Sequence, residues 1–370
     1  MSRYVLAVDL GTTNIKFALY DEQLHEICTE TRKVRYLYEH GYVEFDAAEY
    51  WESCRAGIAK VLKTSAIDAK QVACISLTGQ AESLVVLDGK GSPLHNGISW
   101  LDERSTRECA ELREFFEVEQ GYRITGLPDI VPTWPATKIQ WLRRNEPQVY
   151  NAAEKYLLLK DYIAYKLTGE LVGDLTVYNF SFYLDIVHKR FWSDMLDFLG
   201  VRPEQLPDLI EPGRNAGRIK RDLASDLGLS DHVQVNIGTL DHFAGMIGSG
   251  NIQRGLVSES TGTVLAIATL VNEPVMDHHR LPCHYGMLPD TYVLLPVCES
   301  GGISLEWFKN TFLPDRGWDS INEQIGRVLF EREDLVFLPY ITGSNSPEFD
   351  PNARGVFYGI RHSHTAAHFA

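Results

Sequence analysis

Two runs of alternating apolar residues flank a short turn in YVLAVDLGTTNIKFALY, residues 4–20. The runs cover residues 4–8 and 15–20, and the turn is rich in glycine and small hydroxylated residues. This pattern predicts a strand, a tight turn and a second strand. The N–H groups of such a turn can bind phosphate oxygens, and Asp9 stands where a carboxylate could hold Mg²⁺. An ordinary hairpin that binds nothing would show the same pattern, so this motif alone leaves both readings open.

A second stretch repeats this arrangement late in the chain. Apolar runs at residues 256–259 and 264–269 flank the turn Ser260-Thr261-Gly262-Thr263. The repetition suggests a duplicated fold, and two such loops facing each other would hold a triphosphate from both sides. A matching pair is much less expected by chance than one isolated turn.

The rest of the chain alternates predicted strands and helices, which indicates the α/β class. A chain of 370 residues exceeds one ordinary core, so we expect two lobes, at residues 1–250 and 251–370. The further predicted elements are a helix at 47–63 capped by Asp46, strands at 72–77 and 83–87, a turn at 88–91, helices at 105–116 and 137–144, and a strand at 234–237.

Composition narrows the class of protein. The hydrophobic share of 44% and charged share of 23% are typical of a soluble globular chain, and no apolar run is long enough to span a membrane. A formal charge of −15 disfavours nucleic acid as a partner. The first residues do not resemble a signal peptide, which predicts a cytoplasmic protein. Six cysteines without a CxxC pair suggest neither a zinc site nor a disulfide framework.

One carboxylate follows a predicted strand in GTLDHFAG, residues 238–245. Asp241 could act as a general base, accepting the proton of a hydroxyl that attacks a phosphate. Taken alone, Asp241 is more simply interpreted as a helix N-cap, and the two roles can coexist. The neighbouring His242 is interpreted as a packed or solvent-facing side chain, because a lone histidine indicates little.

Two polar clusters have the residue types that bind carbohydrate. The first is Gly79-Gln80-Ala81-Glu82-Ser83, where amide and carboxylate groups could face sugar hydroxyls, with Glu82 the strongest candidate. The second is Trp100-Leu101-Asp102-Glu103-Arg104, which combines an aromatic face, carboxylates and a guanidinium. A capped helix start with a surface ion pair would explain the second cluster equally simply.

The order of the motifs is more specific than any single motif. The motifs, in chain order, are DLGTTNIK, GQAES, WLDER, LPDIVPTWPATKIQWL, KDYIAYKLTGE, GTLDHFAG, STGT, GGISLEW and the segment at residues 337–360. With this ordered set, the chain resembles the FGGY carbohydrate kinases, which include glycerol kinase, xylulokinase, gluconokinase and fuculokinase, from residue 5 to its end. This resemblance implies a two-lobed actin-like ATPase (ribonuclease H-like) fold, a sugar or polyol substrate, and ATP with Mg²⁺ in the cleft between the lobes.

The resemblance also implies roles for single residues. Asp241 matches the family's catalytic base and Asp9 its metal-associated carboxylate. The remaining matches are the sugar contacts Gln80, Glu82, Trp100, Asp102 and Arg104, the first phosphate loop with Gly11, Thr12, Thr13 and Lys16, the second with Thr261, Gly262 and Thr263, and Gly301 and Gly302 nearer the nucleotide.

Several positions depart from the family pattern. Ala81 replaces the arginine of glycerol kinase and Thr133 its tyrosine, while Asp102 with Arg104 looks more like xylulokinase. A pentulose, hexulose or longer polyol is therefore expected rather than glycerol. Family members continue for more residues than this chain, so we expect an incomplete second lobe whose apolar surface could pair with a second copy as a homodimer.

Two other functions stay open at this point. One is a sugar-binding fragment that lacks the region around adenosine and so lacks ATP affinity. The other is an actin-like hydrolase or chaperone, which would turn over ATP whether or not sugar is present. The sugar-contact segment argues against this last function.

Overall fold

A computed structural model of the chain describes residues 3–262, 264–298, 300–328, 335–344, 346, 350 and 352–370. The strands are, in chain order, β1 (Tyr4–Leu10), β2 (Asn14–Tyr20), β3 (Glu26–Lys33), β4 (Leu37–Glu39), β5 (Tyr42–Phe45), β6 (Val72–Gly79), β7 (Leu84–Leu87), β8 (Gly97–Ile98), β9 (Lys155–Leu158), β10 (Val172–Asp174), β11 (Leu184–Asp185), β12 (Arg190–Phe191), β13 (Asp208–Ile210), β14 (Asn215–Arg218), β15 (Gln234–Leu240), β16 (Val257–Thr261), β17 (Leu265–Val271), β18 (Cys283–Tyr285), β19 (Tyr292–Leu294), β20 (Val297–Cys298), β21 (Val336–Leu338) and β22 (Val356–Tyr358).

The helices alternate with these strands along much of the chain. They are α1 (Ala47–Ser65), α2 (Thr106–Phe115), α3 (Val118–Thr125), α4 (Pro135–Asn145), α5 (Pro147–Ala152), α6 (Leu159–Thr168), α7 (Leu175–Tyr178), α8 (Ser193–Leu199), α9 (Arg221–Leu227), α10 (Asp241–Gly248), α11 (Gly302–Phe312), α12 (Trp318–Gly326) and α13 (Ala366–Phe369).

The largest sheet in the described ranges has the strand order β14-β15-β6-β1-β2-β3. Strands β1, β6 and β15 run parallel to one another, and the outer pairs are antiparallel. On one face of β1 and β2 the alternating apolar residues are fully buried, among them Leu6, Leu10, Ile15 and Phe17. The predicted strands at 4–8, 15–20, 72–77 and 234–237 are therefore confirmed, and they share this one sheet.

Helix α1 covers that sheet and begins where the sequence predicts. The Asp46 carboxylate accepts the backbone N–H groups of Ala48 and Glu49, at 2.8 and 2.9 Å, which makes it the N-cap. Its buried side chains recur at helical spacing, as with Cys54, Ile58 and Val61. The helix at 47–63 is thus confirmed, ending two residues later than predicted.

A second sheet carries the second predicted hairpin. Its strand order is β16-β17-β19-β18, with β20 also paired to β17, and β16 and β17 are antiparallel. The predicted strand pair at 256–259 and 264–269 is confirmed with small shifts. Buried residues of this sheet, such as Ala268 and Tyr285, belong to the same core as Leu112 of α2 and Ile139 of α4. The helices predicted at 105–116 and 137–144 are confirmed as α2 and α4.

A third sheet of order β4-β5-β8-β7-β9 contains the strand predicted at 83–87. After β7, the backbone N–H of Gly91 donates to the carbonyl of Asp88 at 3.0 Å, which confirms the turn at 88–91. Across the described part of the chain, no helix combines the length and the hydropathy that crossing a bilayer requires.

Candidate active site

The carboxyl ends of three neighbouring parallel strands place Asp9 beside Asp241. Asp9 of β1 is in register with Thr78 of β6, which in turn is in register with Thr239 of β15. The pKa of Asp9 is raised, first by burial and then by the negative charge of Asp241, while Lys16 opposes the shift. Two carboxylates separated by most of the chain therefore lie close enough to interact.

Asp9 keeps one oxygen free of protein partners. Its Oδ2 lies 3.7 Å from the Nζ of Lys16, which is largely exposed. Its Oδ1 is buried and has no hydrogen-bond partner among the described residues. An unpaired buried oxygen costs free energy unless a ligand or an ion satisfies it. This oxygen is thus suited to receive a cation.

Asp241 begins helix α10 and faces a cavity. Its Oδ1 accepts the N–H of His242 at 2.7 Å, and Leu240 rather than Asp241 occupies the N-cap position. The interpretation of Asp241 as an N-cap is therefore wrong, and exposed His242 is solvent-facing as expected. Asp241 lines a cavity of about 370 Å³ between α10 and strand β16, opposite Ser258 and Ser260.

Side chains from the predicted sugar-contact segments reach the first phosphate loop. The indole Nε1 of Trp100 donates to Thr12 Oγ1 at 2.9 Å, and Gln80 Nε2 donates to the carbonyl of Gly11 at 3.2 Å. Ser83 Oγ joins the two, donating to Gln80 Oε1 at 2.7 Å and accepting the N–H of Trp100 at 3.1 Å. One hydrogen-bonded network therefore connects both segments to this loop.

Thr13, the neighbour of Thr12, is exposed in the same loop. Its carbonyl accepts the N–H of Val34 at 3.0 Å, which fixes the backbone and leaves the side chain in solvent.

The second predicted phosphate loop packs on the start of α11. The N–H of Gly262 donates to Val264 O at 2.9 Å, and its carbonyl accepts the N–H of Gly302 at 2.8 Å. A Cβ at position 302 would lie 2.5 Å from the Gly262 carbonyl oxygen, and one at Gly301 would meet the Val264 carbonyl carbon at 2.4 Å. The two predicted nucleotide segments are thus in contact.

Thr261 is exposed and donates from Oγ1 to Glu259 Oε1 at 2.7 Å. The predicted phosphate-loop residue Thr263 lies outside the described residues.

Glu82 combines an unusual backbone with a buried carboxylate. Its φ of 65° is left-handed, which is uncommon for a residue other than glycine. Burial raises the pKa of its carboxyl group, while Lys138 and a hydrogen bond from Thr133 oppose that shift. Its Oε2 is buried without a hydrogen-bond partner among the described residues. A carboxylate held in this way is available to accept a ligand's hydroxyl.

The side chains of Asp102 and Arg104 are engaged by protein. Asp102 accepts the N–H of Val43 at 2.6 Å, and Arg104 donates to both of its oxygens at 2.8 Å. The Arg104 guanidinium also lies 2.8 Å from Glu44 Oε1 and 3.9 Å from the centre of the Tyr42 ring. The predicted ion pair exists, but it is buried and not at the surface. A sugar could contact either group after displacing one of these partners.

The sequence of the chain matches a known family of proteins. Residues 4–248 match the N-terminal domain of the FGGY family of carbohydrate kinases. The chain belongs to this family. It is therefore a carbohydrate kinase, and kinases of this family use ATP as phosphoryl donor.

Similar proteins cover nearly all of this FGGY kinase. A xylulose kinase of Lactococcus lactis is 31% identical over 99% of this chain and 73% of its own length. A gluconokinase of Bacillus subtilis is 25% identical over 100% of this chain and 73% of its own length. The crystal structure of a ligand-bound xylulose kinase from Lactobacillus acidophilus has a TM-score of 0.91 and 28% identity, covering 99% of this chain and 74% of that one. The predicted two-lobed actin-like fold is confirmed.

Sequence reasoning missed one cation beside the predicted sugar contacts. Lys138 of α4 is fully buried, and its Nζ donates to the carbonyls of Glu82 at 3.2 Å and Ser99 at 2.8 Å. Burial lowers the pKa of Lys138, and the carboxylate of Glu82 opposes this. The signal was present in TKIQWL, where a lysine stands among residues of an otherwise apolar helix face.

Proposed function

We propose that this kinase transfers the γ-phosphate of ATP to a hydroxyl of a pentulose, a hexulose or a related polyol, with Asp241 as general base. The observation that carries the proposal is the position of Asp241, beside Asp9 and on the wall of the cavity next to the second hairpin. The sugar hydroxyl would attack the γ-phosphorus while its proton passes to Asp241, and ADP would leave. A weak nucleophile needs such a base.

On the sugar side, we assign the direct contacts to Glu82, Gln80 and Trp100. The free Oε2 of Glu82 supports this assignment, since it can accept a sugar hydroxyl. We propose that Asp102 and Arg104 instead hold the neighbouring Trp100 in place, because their polar atoms already have protein partners.

The substrate class rests on two further observations. Ala81 and Thr133 stand where glycerol kinase has larger side chains, which favours a sugar longer than glycerol. The similar proteins quoted above are named for xylulose and gluconate, a ketose and a sugar acid. We therefore rank pentuloses first among the candidates.

On the nucleotide side, we assign phosphate contacts to the two loops. These are Gly11, Thr12, Thr13 and Lys16 in the first, Thr261 and Gly262 in the second, and Gly301 and Gly302 at the start of α11. The exposed Thr13 hydroxyl and the Lys16 ammonium supply donors of the kind that phosphate oxygens accept.

Asp9 fits a Mg²⁺ ion that enters with ATP. Mg²⁺ keeps several waters and is commonly bound by one or two carboxylates together with substrate phosphates. The buried free oxygen of Asp9 meets that requirement. Among the described residues, no three His, Cys, Asp or Glu side chains gather to hold a metal by themselves. When bound, Mg²⁺ would neutralise charge on the phosphate oxygens.

We propose the lobe boundary after residue 250, between the end of α10 at Gly248 and the start of β16 at Val257. Because ATP is the proposed donor, we also propose that the protein acts in the cytoplasm. The homodimer stays a prediction.

A substrate panel tests the proposed function. The chain is incubated with MgATP and with pentuloses, hexuloses, sugar acids and glycerol in turn, and ADP release is measured against a reaction without sugar. We expect the largest release with a pentulose. ADP release that is equal with and without sugar would favour a hydrolase and contradict a sugar kinase.

Calorimetry on the same chain separates the remaining alternative. Binding of both sugar and MgATP is expected for a kinase. Sugar binding without ATP binding, combined with no turnover in the panel, would instead identify a sugar-binding fragment.

A further inference from the structure

A buried cluster of charged and hydroxyl side chains lies beneath the strand that leads to Asp241. It contains Lys160, Asp174 and Thr176, all fully buried, and Thr239, which is 6% exposed. The first of these belongs to KDYIAYKLTGE, a motif that the proposed reaction does not use. Burying a lysine and a carboxylate costs free energy unless the two are well paired, so we asked what this cluster does in the fold.

Lys160 connects this cluster to the backbone of β15. Its Nζ lies 2.6 Å from Asp174 Oδ2, 3.5 Å from Asp161 Oδ1 and 2.7 Å from the carbonyl oxygen of Ile237. The ammonium therefore forms ion pairs with two carboxylates and donates a hydrogen bond to one backbone carbonyl. The carbonyl it holds lies four residues before Asp241.

That carbonyl belongs to a break in the strand ladder. The pairing of β15 with β6 shifts register between Asn236 and Thr239. Gly238, inside the break, has a φ of 64°, and a Cβ there would lie 1.5 Å from the Leu77 carbonyl oxygen. A bulge of this kind re-aims the residues that follow it, and here they lead into α10. The direction of Asp241 thus depends on how firmly the bulge is held.

Thr176 holds the other side of the bulge. Its hydroxyl donates to Asp174 Oδ1, accepts the N–H of Leu240 at 3.0 Å, and lies 3.1 Å from Thr239 Oγ1. Donor and acceptor capacities of the hydroxyl are all used. Leu240 is the residue directly before Asp241, so the hydroxyl fixes the backbone from which the proposed base projects.

We propose that Lys160, Asp174 and Thr176, here called the brace, are positioning residues that fix the bulge and thereby aim Asp241. The inference rests on the proposed role of Asp241 as general base. Because its three side chains are fully buried, the brace would contact neither the substrate nor the reacting atoms. Since a displacement of about 1 Å can cost ~10²-fold in rate, a brace that holds the backbone would act on kcat more than on sugar affinity.

The alternative is that the brace contributes to stability alone. Buried ion pairs are weak evidence for that, because apolar residues of similar volume frequently replace them without loss. The contacts of the brace also converge on two backbone groups, Ile237 O and Leu240 N–H, on either side of Gly238. A purely stabilising pair would have no need of that placement.

Amide hydrogen exchange of the full chain tests the brace without any need for activity. Exchange of the peptide covering residues 238–245 is followed by mass spectrometry in the wild type, Thr176→Val and Thr176→Ser. We expect the Leu240 amide to exchange about 10-fold faster in Thr176→Val, which lacks the acceptor. Thr176→Ser keeps the hydroxyl and should restore the wild-type rate.

Thr125→Val is the matched control. Thr125 is also fully buried, and its hydroxyl bonds the Gly121 carbonyl and the Leu127 N–H, away from β15. This variant should lose thermal stability but leave exchange at Leu240 unchanged. Equal exchange at Leu240 in Thr176→Val and the wild type would overturn the proposal.

Steady-state kinetics supply the second readout. We expect Thr176→Val to lower kcat by ~10- to 10²-fold with the KM for sugar within about twofold, and Thr176→Ser to recover kcat. An equal loss of kcat in Thr125→Val would reduce the brace to a stability element. If the wild-type chain shows no turnover, the proposed function fails, while the exchange experiment still decides whether the brace holds the bulge.

The double variant Lys160→Met with Asp174→Asn tests the ion pair. It removes Lys160 together with its nearest carboxylate, Asn keeps an acceptor for Thr176, and Asp161 remains as a buried carboxyl group whose pKa burial raises to about 7. Faster exchange in peptide 238–245 is expected. Wild-type exchange in this variant would remove Lys160 from the proposal.

Discussion

The two predicted phosphate hairpins have matching sequence patterns but are held in different ways. In the first, β1–β2, the loop is fixed by the side chains of Trp100 and Gln80, which bond Thr12 and Gly11. In the second, β16–β17, the loop is fixed by a backbone bond between Gly302 and Gly262. Similar loops are thus tied to different parts of the protein, one to the sugar-contact segments and the other to a helix.

This difference suggests that the two loops near Asp241 respond to different parts of the protein. If Trp100 contacts the sugar as proposed, occupancy of the sugar site can affect the first loop, because the same indole donates to Thr12. The second loop has no such side chain among the described residues, and its position follows that of α11.

Replacing the carboxylate between the hairpins should have the largest effect. Asp241→Asn keeps the shape of the side chain but cannot accept the proton, so we expect kcat to fall by ~10²- to 10⁴-fold. Sugar binding, measured by calorimetry, should change little. Asp222→Asn, an exposed aspartate in the first turn of α9, is the control and should retain full activity. Turnover by Asp241→Asn near the wild-type rate would refute the assignment.

Acid should weaken the sheet behind the second hairpin. His284 of β18 is stacked on Phe180 with ring centres 4.3 Å apart, and burial lowers its pKa to about 3. The unfolded chain binds that proton near the ordinary value of about 6.5, so stability is lost as pH falls below 6.5. Between pH 7 and pH 4.5, the free energy of unfolding should fall by roughly 3 kcal/mol more in the wild type than in His284→Phe.

Denaturant titrations at the two pH values measure this difference. His232→Phe, at an exposed histidine, should behave like the wild type. Parallel losses in the wild type and His284→Phe would show that other groups cause the acid sensitivity.

A methyl group at Gly302 should displace the second hairpin. The added Cβ would meet the Gly262 carbonyl oxygen at 2.5 Å, and overpacking of this kind costs ~1–3 kcal/mol. We expect Gly302→Ala to weaken MgATP binding by about 10-fold, with sugar affinity unchanged. Gly326→Ala, in α12 where nothing lies within 4 Å, is the control and should bind both ligands normally. Weaker sugar binding in Gly302→Ala would contradict the separation of the hairpins.

Removing the indole donor should have the smallest effect and reach both ligands. Trp100→Phe loses one hydrogen bond to Thr12, so MgATP and sugar affinities should each fall by ~3- to 10-fold. Trp318→Phe, at an exposed tryptophan of α12, should leave both unchanged. An effect on a single ligand would mean that Trp100 does not connect the two sites.

The elements around the site were predictable because they follow local patterns. The alternation of apolar and other residues predicted the strands of both hairpins. Asp46, followed by apolar residues at helical spacing, predicted α1. A carboxylate at the end of a predicted strand identified Asp9 and Asp241 as candidate site residues. Pairing of those candidates was not predictable from any local pattern, since it depends on the register of β1, β6 and β15.

The buried charges were the main features that sequence reasoning missed. Lys138 and Lys160 stand among apolar residues, but the sequence does not show which carboxylate or carbonyl each one will meet. Asp102 and Arg104 are of residue types suited to carbohydrate, and the sequence likewise does not show that each already has protein partners. A polar side chain in a buried position is expected to have a bonding partner. Whether that partner is a ligand or another protein group depends on the fold.

The placement of β6 between β1 and β15 has a consequence for biosynthesis. As the chain emerges from the ribosome, β1 and β6 can pair long before β15 is made, so one edge of β6 stays open during translation. Pairings so distant in the sequence also form slowly. Asp241, which follows β15, should therefore join Asp9 only after β1 and β6 have paired, and pulse-labelled exchange should show protection in β1 before β15 during refolding. An early edge of this kind is where a nascent chain is most exposed to wrong partners.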